Sequence, residues 1–127
     1  MKTYPVCIGG NFKVLPNTFE VNNPFDGQVI ACCSLAGQKE LEDAITAAQG
    51  VEKELANLPS YKREEILKGI AQGLTNEREQ LANLLAQEAA KPLKFAFGEV
   101  DRAIQTYLIA AEECKRLPSE YLKLDWT

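Results

Sequence analysis

The 127-residue chain contains no histidine. That removes the side chain whose ordinary pKa lies nearest neutrality, and with it the usual general base and a common zinc ligand. A cysteine nucleophile needs such a base, or an electropositive pocket, to form its thiolate. Cys7, Cys32, Cys33 and Cys114 therefore read as small buried hydrophobes rather than nucleophiles. The vicinal Cys32-Cys33 pair is not a CxxC motif. Reduced thiols in a cytoplasmic protein are expected, because MKTYPVCIGGNF has no apolar core of signal-peptide length. No stretch approaches the ~18 apolar residues of a membrane span. Basic runs are missing as well. Lys and Arg are scattered among Glu and the net charge is −4, so neither a nucleic-acid partner nor a membrane partner is expected. There is no GxGxxG after a strand, no P-loop and no GxSxG elbow.

What is present has the composition of an ordinary globular chain, long enough for one domain with a core. Residues 1–36 read as β structure. Tyr4, Val6 and Ile8 alternate, Gly9-Gly10-Asn11 offers a turn, and Phe12 and Val14 resume. A second hairpin runs from Phe19 through Asn23-Pro24-Phe25-Asp26-Gly27 to Leu35. Proline fixes φ in that turn and Gly27 accepts a positive one.

From Gly37 the period turns helical. Leu41, Ala44, Ile45, Ala48, Val51 and Leu55 form the stripe of a first helix. Ser60 is the expected N-cap of a second, with Ile66, Leu67, Ile70, Ala71 and Leu74 inward. Gly73 and Thr75-Asn76 suggest a break, with Thr75 capping a third helix on Leu81, Leu84, Leu85 and Ala89. Lys91-Pro92 ends it. A fourth helix carries Phe97, Val100, Ile104, Tyr107, Leu108, Ala111 and Cys114 until Pro118. The expected fold is α+β and mostly α: N-terminal β-hairpins over 1–36, then about four amphipathic helices over 37–118, joined by short links that make neighbours roughly antiparallel. Residues 119–127 read as a truncated tail with apolar anchors at Leu124 and Trp126.

The many carboxylates sit at helix-surface spacing, where Glu99 can pair with Arg102 and Glu112 with Arg116. Such pairs contribute a few tenths of a kcal/mol each. They read as a solvated face rather than an acid/base pair. No residue is assigned a catalytic role.

Six segments in order nevertheless resemble one family. They are CIGGNF at 7–12, FEVNNPFDGQVIACC at 19–33, LEDAITAAQ at 41–49, REEILKGIAQGL at 63–74, REQLANLLAQEAAKPL at 78–93 and GEVDRAIQTYLIAAEE at 98–113. Together they resemble the N-terminal segment of the NAD(P)-dependent aldehyde dehydrogenase superfamily. The run from Gly98 to Asp125 is most similar to its lactaldehyde- and glyceraldehyde-3-phosphate-dehydrogenase-like branch. One departure stands at Ala90, where members usually carry glycine before the Lys-Pro.

The resemblance implies a partial cofactor-domain scaffold. It implies a parent enzyme that oxidises an aldehyde with NAD or NADP, through a cysteine thiolate and a water-activating glutamate. Neither group has a counterpart here, so this fragment is expected to be inert and to hold no cofactor. The implied partners are the remainder of the parent enzyme and, through exposed apolar surface, further copies of the chain. The resemblance also implies one candidate site for a monovalent cation, made of main-chain oxygens at Val21 and Asn22 with the carboxylate of Glu88. Hard cations take such oxygen ligands. The competing expectation is a self-standing helical interaction module.

Overall fold

The computed structural model describes residues 2–116. The helix stop at Pro118 and the anchors Leu124 and Trp126 lie outside the described residues. Five short strands precede four helices: β1 (Thr3–Tyr4), β2 (Val6–Ile8), β3 (Asn11–Lys13), β4 (Thr18–Asn22), β5 (Val29–Ser34), α1 (Gln38–Ala56), α2 (Ser60–Asn76), α3 (Arg78–Ala89) and α4 (Leu93–Glu113).

β2 and β3 form the first hairpin, with Ile8 opposite Asn11. Its two-residue turn needs positive φ at both positions, which Gly9 (55°) and Gly10 (80°) supply. β4 and β5 form the second, from Thr18 opposite Ser34 to Asn22 opposite Val29. Asn23 closes its turn, since its carbonyl accepts from Gly27 N at 2.8 Å and its amide donates to Gln28 O at 2.8 Å. The periodicity does not reveal where β1 goes. Pro5 has no N–H to continue a ladder, and β1 pairs in parallel with β5 instead, Thr3 opposite Cys32 and Tyr4 opposite Cys33. The three-stranded sheet thus runs β1-β5-β4. Buried Ser34 ties its end down by accepting from Leu15 N at 3.1 Å.

The four helices stand where the period placed them, but their boundaries and faces differ in detail. Ser60 is the first helical residue and Pro59 is the cap, so Ser60 is not the N-cap. Proline's fixed φ suits the start of a helix without a side-chain cap. The break before α3 falls at Glu77 rather than at Gly73 or Thr75. The Thr75 hydroxyl donates to Ala71 O at 2.8 Å, one turn back. That bond satisfies the hydroxyl inside the helix and leaves nothing to cap the next one.

α4 is the central helix. Its C-terminal end meets the start of α2, where Lys115 reaches Glu64 at 2.8 Å. Its N-terminal half folds back on α3, where Arg78 reaches Asp101 at 2.6 Å. Both packings are therefore antiparallel. The core between α3 and α4 is Ala82, Ala96 and Val100, flanked by Leu81, Leu85, Phe97 and Ile104.

The apolar stripe of α1 behaves differently. Leu41 (60% exposed), Ile45, Val51 and Leu55 (56%) face solvent, and α1 contributes no buried residue. Its half-buried positions are Glu40, Ala44 and Ala47, and the methyl of Ala47 lies against Gly9. Ile66 and Ile70, expected inward on α2, are exposed too, and Ala71 is the residue of that stripe that is buried. On α1 small side chains make the contacts, and the large ones find no cover among the described residues.

Ala90 caps α3 in the left-handed region at φ 48° and ψ 32°. A Cβ there costs about 1–2 kcal/mol, offset in part by glycine's greater unfolded-state entropy. Ala90→Gly is expected to stabilise the chain by about 0.5–1 kcal/mol, read as a raised urea midpoint at unchanged slope. A lowered midpoint would show that the cap is not strained.

Candidate functional site

Val21 and Asn22 end β4, opposite Ala31 and Val29, at a register shift just before the Asn23-Pro24 turn. Glu88 stands in the last turn of α3. It lines a groove of about 290 Å³ with Leu74, Leu81, Leu85, Glu99 and Val100. The β4–β5 turn meets α3 on another face. There Asn23 and Phe25 line a groove of about 370 Å³ with Asn83, Ala86, Gln87 and Lys91. Among the described residues, no three of the side chains Cys, Asp, Glu and His converge as a metal-holding group.

Glu64, Glu99 and Asp101 are engaged by cations from other segments rather than converging on a reaction centre. Asp101 accepts both Arg78 Nε at 2.6 Å and Nη2 at 2.7 Å, and the same guanidinium lies 4.5 Å from the centroid of Phe97. Such a fork fixes orientation as well as charge. Glu99 pairs with Lys91, from the corner before α4, and Arg102 acts on it only as a nearby charge. The expected Glu112–Arg116 pair forms at 3.9 Å, and Arg116 also reaches Glu113 at 3.3 Å. Glu64 accepts from Lys68 and Lys115, each at 2.8 Å. Links between residues so far apart in sequence carry no signal in helical spacing, which explains why Arg78–Asp101 and Glu64–Lys115 are not legible there.

These contacts depress carboxylate pKa values. Hydrogen bonds from Lys115 and Lys68 lower Glu64, the Arg78 hydrogen bond lowers Asp101, and that from Lys91 lowers Glu99. A group depressed in the folded state stabilises fully above its unfolded pKa of about 4, and that contribution is lost as pH falls through its lower folded value. Glu64→Gln is therefore expected to be less stable than the natural chain at neutral pH and closer to it in strong acid. Urea midpoints at both pH values check this, and a gap that stays constant would remove Glu64 from the acid limb.

Cys7 is exposed, Cys32 is buried, and Cys33 and Cys114 are half-buried. The Cys114 thiol lies 3.1 Å from Ala111 O and 3.6 Å from Ser60 O, across the α4–α2 contact. That is a packing role.

The start of α1 is not shaped for a dinucleotide's pyrophosphate. A pyrophosphate is held where a glycine-rich turn after a parallel strand opens a helix. α1 follows β5 and opens on Gly37, but Glu40 fills that first turn, its Oε2 accepting from Gly37 N at 3.0 Å. That backbone hydrogen bond holds the Glu40 carboxyl below its ordinary pKa. A phosphate would meet a carboxylate there, so no step through a dinucleotide is derived from these residues.

The sequence matches the model of the aldehyde dehydrogenase family over residues 13–127. It is 36% identical over 106 residues to a lactaldehyde dehydrogenase of Methanocaldococcus jannaschii, covering 84% of this chain and 23% of that protein. The fold superposes on aldehyde dehydrogenase 21 of Physcomitrella patens with a TM-score of 0.94 at 32% identity, covering 99% of this chain and 26% of that one. It superposes equally, at 0.94 and 27% identity, on the NADP-dependent glyceraldehyde-3-phosphate dehydrogenase of Bacillus halodurans, covering 100% of this chain and 27% of that one. The chain thus spans about a quarter of the length of the relatives it matches. Sequence and fold agree that the chain belongs to the aldehyde dehydrogenase family, as an N-terminal segment of it.

Proposed function

We propose that this chain is the N-terminal scaffold of an NAD(P)-dependent aldehyde dehydrogenase acting on small hydroxyaldehydes in the cytoplasm, and that the segment alone is catalytically inert. The observation that carries the reading is the joint match of sequence and fold over nearly the whole chain, against about a quarter of each relative. The substrate class rests on relatives named for lactaldehyde and 3-sulfolactaldehyde. The use of NAD or NADP rests on a relative named as NADP-dependent. The nucleophile, the water-activating carboxylate and the dinucleotide site come from the remaining chain, which is this segment's partner. What these residues contribute is position. The α3–α4 hairpin, clamped by Arg78–Asp101 and Lys91–Glu99, holds the β4–β5 turn against the C-terminal half of α3.

A monovalent cation held by Val21 and Asn22 main-chain oxygens with Glu88 belongs to the same proposal, completed by a ligand from the remaining chain. Phe12 (76% exposed) and Phe25 (88%) are the surfaces through which the isolated segment associates with copies of itself. The test is aldehyde-dependent NAD(P)H production by the purified chain, with lactaldehyde and glyceraldehyde-3-phosphate as substrates. No signal above a mock purification is expected. Turnover that scales with the amount of chain overturns the reading.

A further inference from the structure

We draw no further inference here: the strongest candidate, the exposed apolar face of α1 around Val51 and Leu55 with the grooves beside it, is an unpartnered surface, and nothing among the described residues shows what covers it.

Discussion

Replacing Ala96 by leucine is expected to lower the unfolding free energy by about 2–3 kcal/mol, the upper part of the range for overpacking a closed core. For a chain of this size that is a fall in melting temperature of roughly 10 °C. Ala96 has no exposed surface and shares one packed cluster with Ala82, which has none either, and with Val100. α3 and α4 approach through methyl groups there. A leucine has no space without moving one helix away from the other. Displacement would carry Asp101 away from Arg78 and Glu99 away from Lys91, so part of the loss comes from pairs that Ala96 does not touch. Gln105→Leu adds a larger apolar side chain to the same helix at an exposed position. It is expected to stay within about 0.5 kcal/mol of the natural chain. Equal effects from the two substitutions would mean that the alanine contact is loose.

Ala96 illustrates what the sequence withholds. The helical period finds every helix, because leucines and isoleucines recur at the right spacing. On α4 every residue of the expected stripe is buried or half-buried, but on α1 the period marks exposed positions, since size alone does not say which side chain sits at the point of closest approach. Leu41, Ile45, Val51 and Leu55 are large, periodic and exposed, while Ala82, Ala96 and Ala111 are small and have no exposed surface. A periodic stripe records that a face is covered by something, and on α1 nothing among the described residues covers it. The turns are more legible. Gly9-Gly10 and Asn23-Pro24-Phe25-Asp26-Gly27 dictate local φ values without reference to the rest of the fold, and both hairpins stand where those residues put them. The parallel pairing of β1 with β5 spans about thirty residues and leaves no local trace. The cation candidate at Val21, Asn22 and Glu88 comes from the position-by-position resemblance alone, with no spacing or period that points to it.

The second large effect is expected at Arg63. Its guanidinium donates to three main-chain oxygens at the end of α1: Leu55 O, Ala56 O at 3.1 Å and, through Nε, Leu58 O at 3.1 Å. The last carbonyls of a helix have no partner within it. Here a side chain from the first turn of the next helix satisfies them, with a positive charge at the negative end of the α1 dipole. Hydrogen bonds to a charged donor contribute about 1.5–3 kcal/mol, so Arg63→Ala should cost about 2 kcal/mol. Arg63→Lys should recover little of it, because a lysine lacks the planar fork that reaches several carbonyls at once. The loss should be local before it is global. α1 has no buried residue to hold it, so its connection to α2 through Arg63 bears more of the load than in a helix packed into a core. Hydrogen exchange is therefore expected to quicken along the C-terminal half of α1 in Arg63→Ala while the α3–α4 hairpin keeps its protection. Uniform quickening across both would mean that Arg63 supports the whole fold rather than the seat of α1.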